Sequence, residues 1–218
     1  MSSKGGVGKT LVSVSLALAL SDLGRKVGLL DLDITNPSAH VALGMKLKDL
    51  PEEEKGVKPP EVGGVEFMTI AYYTKDNPTP LRGWEIDNAV REILAITIWG
   101  ELDYLLIDTP PGMSDELLDV ITFFKPAEPL VVATNSPLAI KSVERLLKLL
   151  KEELTVKGVV ENMASGASSL VKDLCTAHSV SYLGAIGFDP QIDSKLGSLE
   201  GIKSSSFFRD VTRIARKL

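Results

Sequence analysis

The sequence predicts an α/β fold: a doubly wound, mostly parallel sheet with helices on both faces. Three observations predict it. Short apolar runs alternate with amphipathic segments, a glycine-rich turn opens into a helix near the amino end, and aspartates close two of the apolar runs. Strands covered on both faces read as near-continuous Val, Ile and Leu. Strands that alternate with helices build a parallel sheet. Five runs qualify as strands: Val27 to Leu32, Val65 to Ile70, Tyr104 to Ile107, Leu130 to Ala133 and Val156 to Val160. Helices are expected over Leu11 to Leu20, Ile86 to Ile98, Asp115 to Phe124, Leu138 to Leu154 and Ser168 to Ala177. From Ala139 to Leu154, apolar residues recur every three or four positions with Lys and Glu between them, the mark of a surface helix. Met45 to Gly64, with Pro51, Glu52 to Glu54, Pro59 and Pro60, reads as an exposed, partly mobile excursion. No internal repeat is present, and residues 1–218 read as one domain.

Composition narrows the class. A chain of 218 residues, 44% hydrophobic and 24% charged, can bury a core without staples. Its net charge of −5 and pI of about 5.2 argue against a broad nucleic-acid surface. The single cysteine, Cys175, excludes an internal disulfide and fits a reducing cytosol. No stretch reaches the roughly 18 apolar residues of a membrane span. A cytoplasmic, soluble protein is the expectation.

The richest motif is Ser3-Lys4-Gly5-Gly6-Val7-Gly8-Lys9-Thr10. Glycines at 5, 6 and 8 let backbone N–H groups turn inward and approach a triphosphate. Lys9 supplies a point charge for the β- and γ-phosphates, and the Thr10 hydroxyl suits Mg²⁺. The helix from Leu11 would aim its positive end at the same phosphates. Gly5, Gly6, Val7, Gly8, Lys9, Thr10 and Leu11 are therefore the candidate nucleotide loop. The strict pattern G-x-x-x-x-G-K-[ST] fails at Ser3, but the additional Lys4 restores specificity; a plain glycine turn is the alternative. A buried strand normally precedes such a loop, yet only Met1 and Ser2 do so here. The first strand is thus expected to be missing, with the true start upstream or the chain trimmed.

Two acidic motifs complete the candidate site. Leu30-Asp31-Leu32-Asp33-Ile34 ends an apolar run, and Asp33 is the residue expected in the Mg²⁺ shell or on the attacking water. Two aspartates at a strand end also form ordinary turns. Leu105-Leu106-Ile107-Asp108 followed by Thr109-Pro110-Pro111-Gly112 is a Walker B arrangement, with Asp108 expected on the metal. A stiff Pro-Pro-Gly turn would let the Gly112 N–H reach a γ-phosphate and sense its loss. A plain strand–turn–helix would carry the same letters.

These motifs, with Pro37-Ser38, Arg82-Gly83, Trp99-Gly100-Glu101-Leu102-Asp103-Tyr104, Ser114-Asp115-Glu116, Lys157-Gly158 to Asn162-Met163 and Leu183-Gly184, follow one another in order. The chain resembles the Mrp branch of the MinD/ParA ATPases over nearly its whole length. The resemblance implies ATP and ADP as ligands with Mg²⁺, and a homodimer closed around an ATP sandwich. It implies that Lys4 reaches the partner's phosphates, which makes Lys4, Lys9 and Asp33 the catalytic candidates. Such a cation does the work of an arginine finger, worth about 10³–10⁵ in rate. It also implies that Asn162 hydrogen-bonds adenine.

Some residues depart from that pattern. Mrp-type iron–sulfur carriers place a Cys-x-x-Cys pair soon after Asn-Met, whereas Met163 to Ser169 contains no cysteine. Thiolates hold such clusters, so cargo bound in the usual way is not expected. Cys175 and His178, spaced i and i+3, could supply a tetrahedral set across a dimer, or Cys175 could be a small buried hydrophobe. Leu11 and Asn36 are milder departures. A cysteine-free relative also resembles ATPase-type HypB, which implies a HypA-like nickel chaperone as partner in place of an iron–sulfur apo-protein. The last helix pairs Phe207, Phe208, Val211, Ile214, Ala215 and Leu218 with Arg209, Arg213, Arg216 and Lys217. MinD lays such a helix on membranes; here a helix packed on the sheet is expected, with neither nucleic acid nor membrane expected as a partner. The expected function is a dimerising Mg-ATPase switch that assists metal-cofactor assembly, with a MinD-type positioning ATPase as the alternative.

Overall fold

Seven strands and eight helices follow from these patterns among the residues described. The structure, a computed structural model, describes residues 1–2, 5–47, 51, 55–75, 83–112, 122–124, 126–166 and 169–218. Helix α1 (Lys9–Asp22) leads into β1 (Val27–Asp31), α2 (Ala39–Leu43), β2 (Glu61–Val62) and β3 (Val65–Thr69). Next come α3 (Ala71–Thr74), α4 (Trp84–Ile96), β4 (Tyr104–Asp108) and β5 (Leu130–Thr134). The chain continues through α5 (Pro137–Glu153), β6 (Gly158–Ala164), α6 (Leu170–Ala177) and β7 (Tyr182–Gly187). A 3-10 turn (Ile192–Lys195), α7 (Leu199–Lys203) and α8 (Ser206–Ala215) close it.

Hydrogen bonding orders the strands β2-β3-β1-β4 in one set and β5-β6-β7 in the other. All pairs are parallel except the β2–β3 hairpin. Met1 and Ser2 stand where the expected first strand would end. The Met1 amine donates to the Leu130 carbonyl at 2.8 Å, Val132 N–H donates to the Met1 carbonyl at 2.9 Å, and Gly112 N–H donates to the Ser2 carbonyl at 3.0 Å. These two residues run beside β5 before the glycine turn departs, so the single sheet expected is drawn as two sets.

Double winding is visible in the alternation along β5 and β6. Val131, Ala133 and Val159 enter one core with Val143, Leu146, Leu147 and Leu150 of α5 and with α6. Val132 and Val160, one residue along, enter the other core with α1, β1, β3 and α8. Successive strand residues point to opposite faces, so both faces are covered. Helix α1 is apolar on nearly every side because it lies between β1 and α8, with Val14, Leu18 and Ala19 fully buried. Helix α8 buries Phe207, Phe208, Val211, Ile214 and Ala215, and Ser205 caps it by accepting from Phe208 N–H at 3.0 Å.

One expectation needs correction. The excursion from Met45 is anchored in part: Val57 is buried, donates its N–H to Ile96 and accepts from Ile98 at 2.8 Å. Its apolar side chain reaches the core behind α4, which composition alone does not reveal. The helix expected over Asp115 to Phe124 lies mostly outside the described residues. Among the described residues no helix is long and apolar enough to cross a membrane.

Candidate functional site

Parallel strands place their carboxyl ends along one edge, and ligands of such sheets bind there. In this chain the loop 5–8, the ends of β1, β4 and β6, and the loop after β7 enclose a cleft of about 610 Å³. Gly6 and Gly8 hold positive φ angles of 77° and 79°, which turn successive N–H groups the same way. Gly8 is also the residue from which α1 starts. Behind it, the Asn162 amide donates to the Val7 carbonyl at 2.8 Å and fixes the loop from the far sheet. A Cβ on Gly8 would stand 2.4 Å from Asn162 Nδ2.

Lys9 enters the interior rather than solvent. Its Nζ lies 2.7 Å from Asp108 Oδ1, with side chains only 7% and 1% exposed, and the Ser13 hydroxyl donates to the same oxygen at 2.9 Å. Asp108 Oδ2 is buried and has no hydrogen-bond partner among the described residues. A carboxylate oxygen left in that position is costly unless a cation or donor meets it. Thr10, whose hydroxyl lies 3.5 Å from Lys9 Nζ, lines the cleft with Leu11.

Asp31 is in register with Asp108 across the β1–β4 pair and is fully buried. Its carboxylate accepts from Asp33 N–H, Ser38 N–H and Ala39 N–H, each at 3.1 Å, and so ties the acidic turn to the start of α2. Burial pushes the Asp31 carboxyl up to about 7; the Asp108 charge adds to this, and the Ala39 and Asp33 N–H groups oppose it. Asp33 lines the cleft, accepts from Asn36 N–H at 3.1 Å, and is held above the usual carboxylate range, again chiefly by burial.

The Asp31 shift has a signed consequence. A carboxyl whose native pKa lies above its unfolded value binds protons more readily when folded. Its contribution is therefore present near pH 4 and is lost as pH rises toward about 7. Urea unfolding at several pH values should show the stability of wild type relative to Asp31→Asn shrinking across that window. A gap that stays constant or widens contradicts the assignment.

The structure brings together most of the residues expected from sequence: Gly5, Gly6, Val7, Gly8, Lys9, Thr10, Leu11, Asp33 and Asn162 line the cleft, and Asp108 forms its floor through Lys9. Lys4, Arg82, Asp115 and Glu116 lie outside the described residues. Gly112 already has a partner within the chain. Its N–H, expected to face a γ-phosphate, donates to the Ser2 carbonyl, because Met1 and Ser2 pass between β4 and β5. Cys175 follows the packing alternative: it is buried in the core cluster with Leu147, Val159 and Leu174, and burial, with the Glu161 charge adding to it, pushes its thiol up to about 11. A neutral, enclosed thiol is a packing group. Among the described residues, no group of three or more His, Cys, Asp or Glu could hold a metal ion.

Sequence reading missed three parts. Ser13 sits one turn beyond the loop on the helix face that meets Asp108, a spacing of i and i+4 from Lys9. Asp31 is the buried hub of the acidic turn. The far wall of the cleft is Phe188-Asp189-Pro190 after β7, where Phe188 is 64% exposed. A Phe-Asp-Pro turn directly behind a strand was the available signal.

A family model described as ParA, NUBPL iron-transfer P-loop NTPase, matches residues 1–217. The chain belongs to this ParA family. Among curated proteins, the iron-sulfur cluster carrier protein of Methanocaldococcus jannaschii is 33% identical over 247 aligned positions, covering 100% of this chain and 83% of its own length. The cytosolic Fe-S cluster assembly factor NUBP2 of Gallus gallus is 32% identical, with 100% of this chain and 89% of that protein covered. The ADP-bound nucleotide-binding protein of Archaeoglobus fulgidus superposes with a TM-score of 0.74 at 28% identity, covering 100% of this chain and 86% of that one. The ParA-family assignment agrees with the parallel topology and with the glycine loop placed at the strand ends.

Proposed function

We propose that this ParA-family protein is an ATP-operated switch that serves iron–sulfur cluster assembly, with residues 1–218 acting as one nucleotide-binding unit. One observation carries the reading: the buried Lys9–Asp108 pair, joined by Ser13, beneath a glycine loop that lines an open cleft. The residues fit Mg²⁺ and a triphosphate. Asp108 Oδ2 is an orphaned buried acceptor, and the space at Gly8 admits no Cβ. Mg²⁺ commonly takes one or two protein ligands beside phosphate oxygens, so Thr10 and Asp108 suffice, with Asp33 near them. The bound metal would neutralise charge on the phosphates and act as a Lewis acid.

The chain's own groups do the rest. Loop amides and Lys9 hold the phosphates, and Lys9 must leave Asp108 to do so, which frees the carboxylate. Asp33, held above its usual pKa chiefly by burial, faces the cleft and orients a water there. The Asn162 Oδ1 atom, buried without a partner, is the acceptor for the adenine amino group. Gly112 would report on the γ-phosphate only after releasing Ser2. A second copy closes the mouth at the exposed Gly5 and Gly6, and its Lys4 reaches across.

The names of the relatives favour iron–sulfur cargo, and the cytosolic relatives favour a cytoplasmic protein. With Cys175 enclosed and no cysteine between Met163 and Ser169, the chain acts on a cluster-bearing partner and does not itself ligate the cluster. The same two facts keep nickel delivery with a HypA-like chaperone as a second reading. Burial of the apolar face of α8 weighs against a MinD-type positioning role. The test pairs two measurements. Lys4→Ala should keep ATP affinity but lose hydrolysis by about 10³-fold or more and lose ATP-driven dimerisation. Anaerobic incubation of the wild-type protein with iron and sulfide should leave it colourless. Unchanged turnover removes the role of Lys4, and a stable brown cluster removes the partner-only reading.

A further inference from the structure

The outer face of α8 carries a feature that the nucleotide site does not use. Arg209, Arg213 and Arg216 recur at i, i+4 and i+7 and so form one stripe along the helix. Lys203 at the end of α7 extends it, and together they line a groove of about 390 Å³. Arg213 pairs with Asp210, and Lys203 with Asp22 at 2.6 Å. Arg209 and Arg216 have no carboxylate partner among the described residues. In a chain of net charge −5, this is a local concentration of the opposite sign.

We propose that the stripe is a docking site for an acidic segment of a partner protein. Lipid is disfavoured because the apolar residues of α8 are packed beneath it: Phe207, Phe208, Val211, Ile214 and Ala215 are all under 8% exposed. Inserting that face into a bilayer would require unpacking the core against α1. A nucleic-acid backbone is disfavoured because four basic residues are too few to make the broad cationic surface that it needs. From Arg209 to Arg216 the stripe runs over seven helical steps, about 10 Å, a length that about four residues of extended acidic peptide would cover. Guanidinium groups also bind carboxylates with two parallel N–H donors.

The stripe is linked to the cleft. Asp189, on the cleft wall, accepts from the Ser206 hydroxyl at 2.7 Å and from Phe207 N–H at 3.5 Å, and so holds the amino end of α8. Helix α1, which starts at the glycine loop, packs along the same helix. A partner docked there would thus touch an element fixed at its start by a residue of the nucleotide cleft. This inference stands apart from the proposed ATPase cycle and does not require it.

The test is fluorescence anisotropy of a labelled peptide of about a dozen Glu and Asp residues, with duplex DNA and phosphatidylglycerol vesicles as parallel probes. The intact protein should bind the peptide, and Arg209→Ala with Arg216→Ala should weaken binding by about tenfold or more. Both sites are exposed, so the thermal midpoint and ATP affinity of the double variant should match wild type. Charge reversal, Arg209→Glu with Arg216→Glu, should abolish binding. The proposal is overturned if wild type ignores the peptide, if the double variant binds it equally well, or if DNA or vesicles bind more tightly through the same arginines.

Discussion

Lys9→Ala should lower the stability of the nucleotide-free protein by about 3–5 kcal/mol and abolish nucleotide turnover. The stability loss follows from the partner left behind. Asp108 is 1% exposed, and one of its oxygens already has no donor. Removing the ammonium leaves Ser13 as its only side-chain donor among the described residues, a single hydroxyl worth about 1.5–3 kcal/mol against a charged group. Burying an uncompensated carboxylate costs more than that hydroxyl returns. Urea unfolding measures the first effect and phosphate release the second. A double variant, Lys9→Met with Asp108→Leu, should recover most of the stability while remaining inactive, because a buried pair replaced by apolar groups of similar volume is often neutral. A Lys9→Ala protein as stable as wild type would mean that the amine does not rest on Asp108.

Gly8→Ala should cost about 1–2 kcal/mol from left-handed strain alone, and ATP affinity should fall about a hundredfold or more. The added Cβ meets Asn162 Nδ2 at 2.4 Å at a φ of 79°, so both the loop and the Asn162–Val7 hydrogen bond must shift. Its neighbours provide the internal comparison. Gly6 has the same sign of φ but open space, and Gly5 has open space without the positive angle. Calorimetric ATP affinity should therefore fall in the order Gly5→Ala, Gly6→Ala, Gly8→Ala, with the last the weakest. Equal losses at all three positions would show that loop chemistry, and not the Asn162 contact, sets the sensitivity.

Much of the fold could be read from sequence because parallel strands leave a clear trace. Val27, Val65, Tyr104 and Leu130 begin strands at the residues expected, and each of those strands ends within a residue or so of its apolar run. Strand β7 left a weaker trace: Tyr182 to Gly187 contains two glycines and is only partly buried, so it looks like a loop. Helices α2, α3 and α7 have four or five residues each, too few for a period to show.

The site divides along similar lines. The loop glycines, Lys9, Thr10, Asp33 and Asp108 stand in motifs with local spacing, and the cleft gathers them. What spacing could not give were the long-range contacts. Lys9 meets Asp108 across 99 positions, and Asn162 meets Val7 across 155. Asp31 and Asp33 look equivalent in sequence, yet strand register buries Asp31 against Asp108 and leaves Asp33 at the cleft. The hydrogen bond from Gly112 N–H to Ser2 could not be read for the same reason, since Ser2 lies on a distant segment.

The central claim is that the cleft holds a magnesium-bound adenosine triphosphate through Lys9 and the loop amides. Isothermal titration of the full chain with ATP, with and without Mg²⁺, tests it most directly. Saturable heat for one site per chain, tighter with Mg²⁺ and about a hundredfold or more weaker in Gly8→Ala, is the predicted result. No heat from a cooperatively folded sample, or the same affinity in the Gly8→Ala protein, would contradict it.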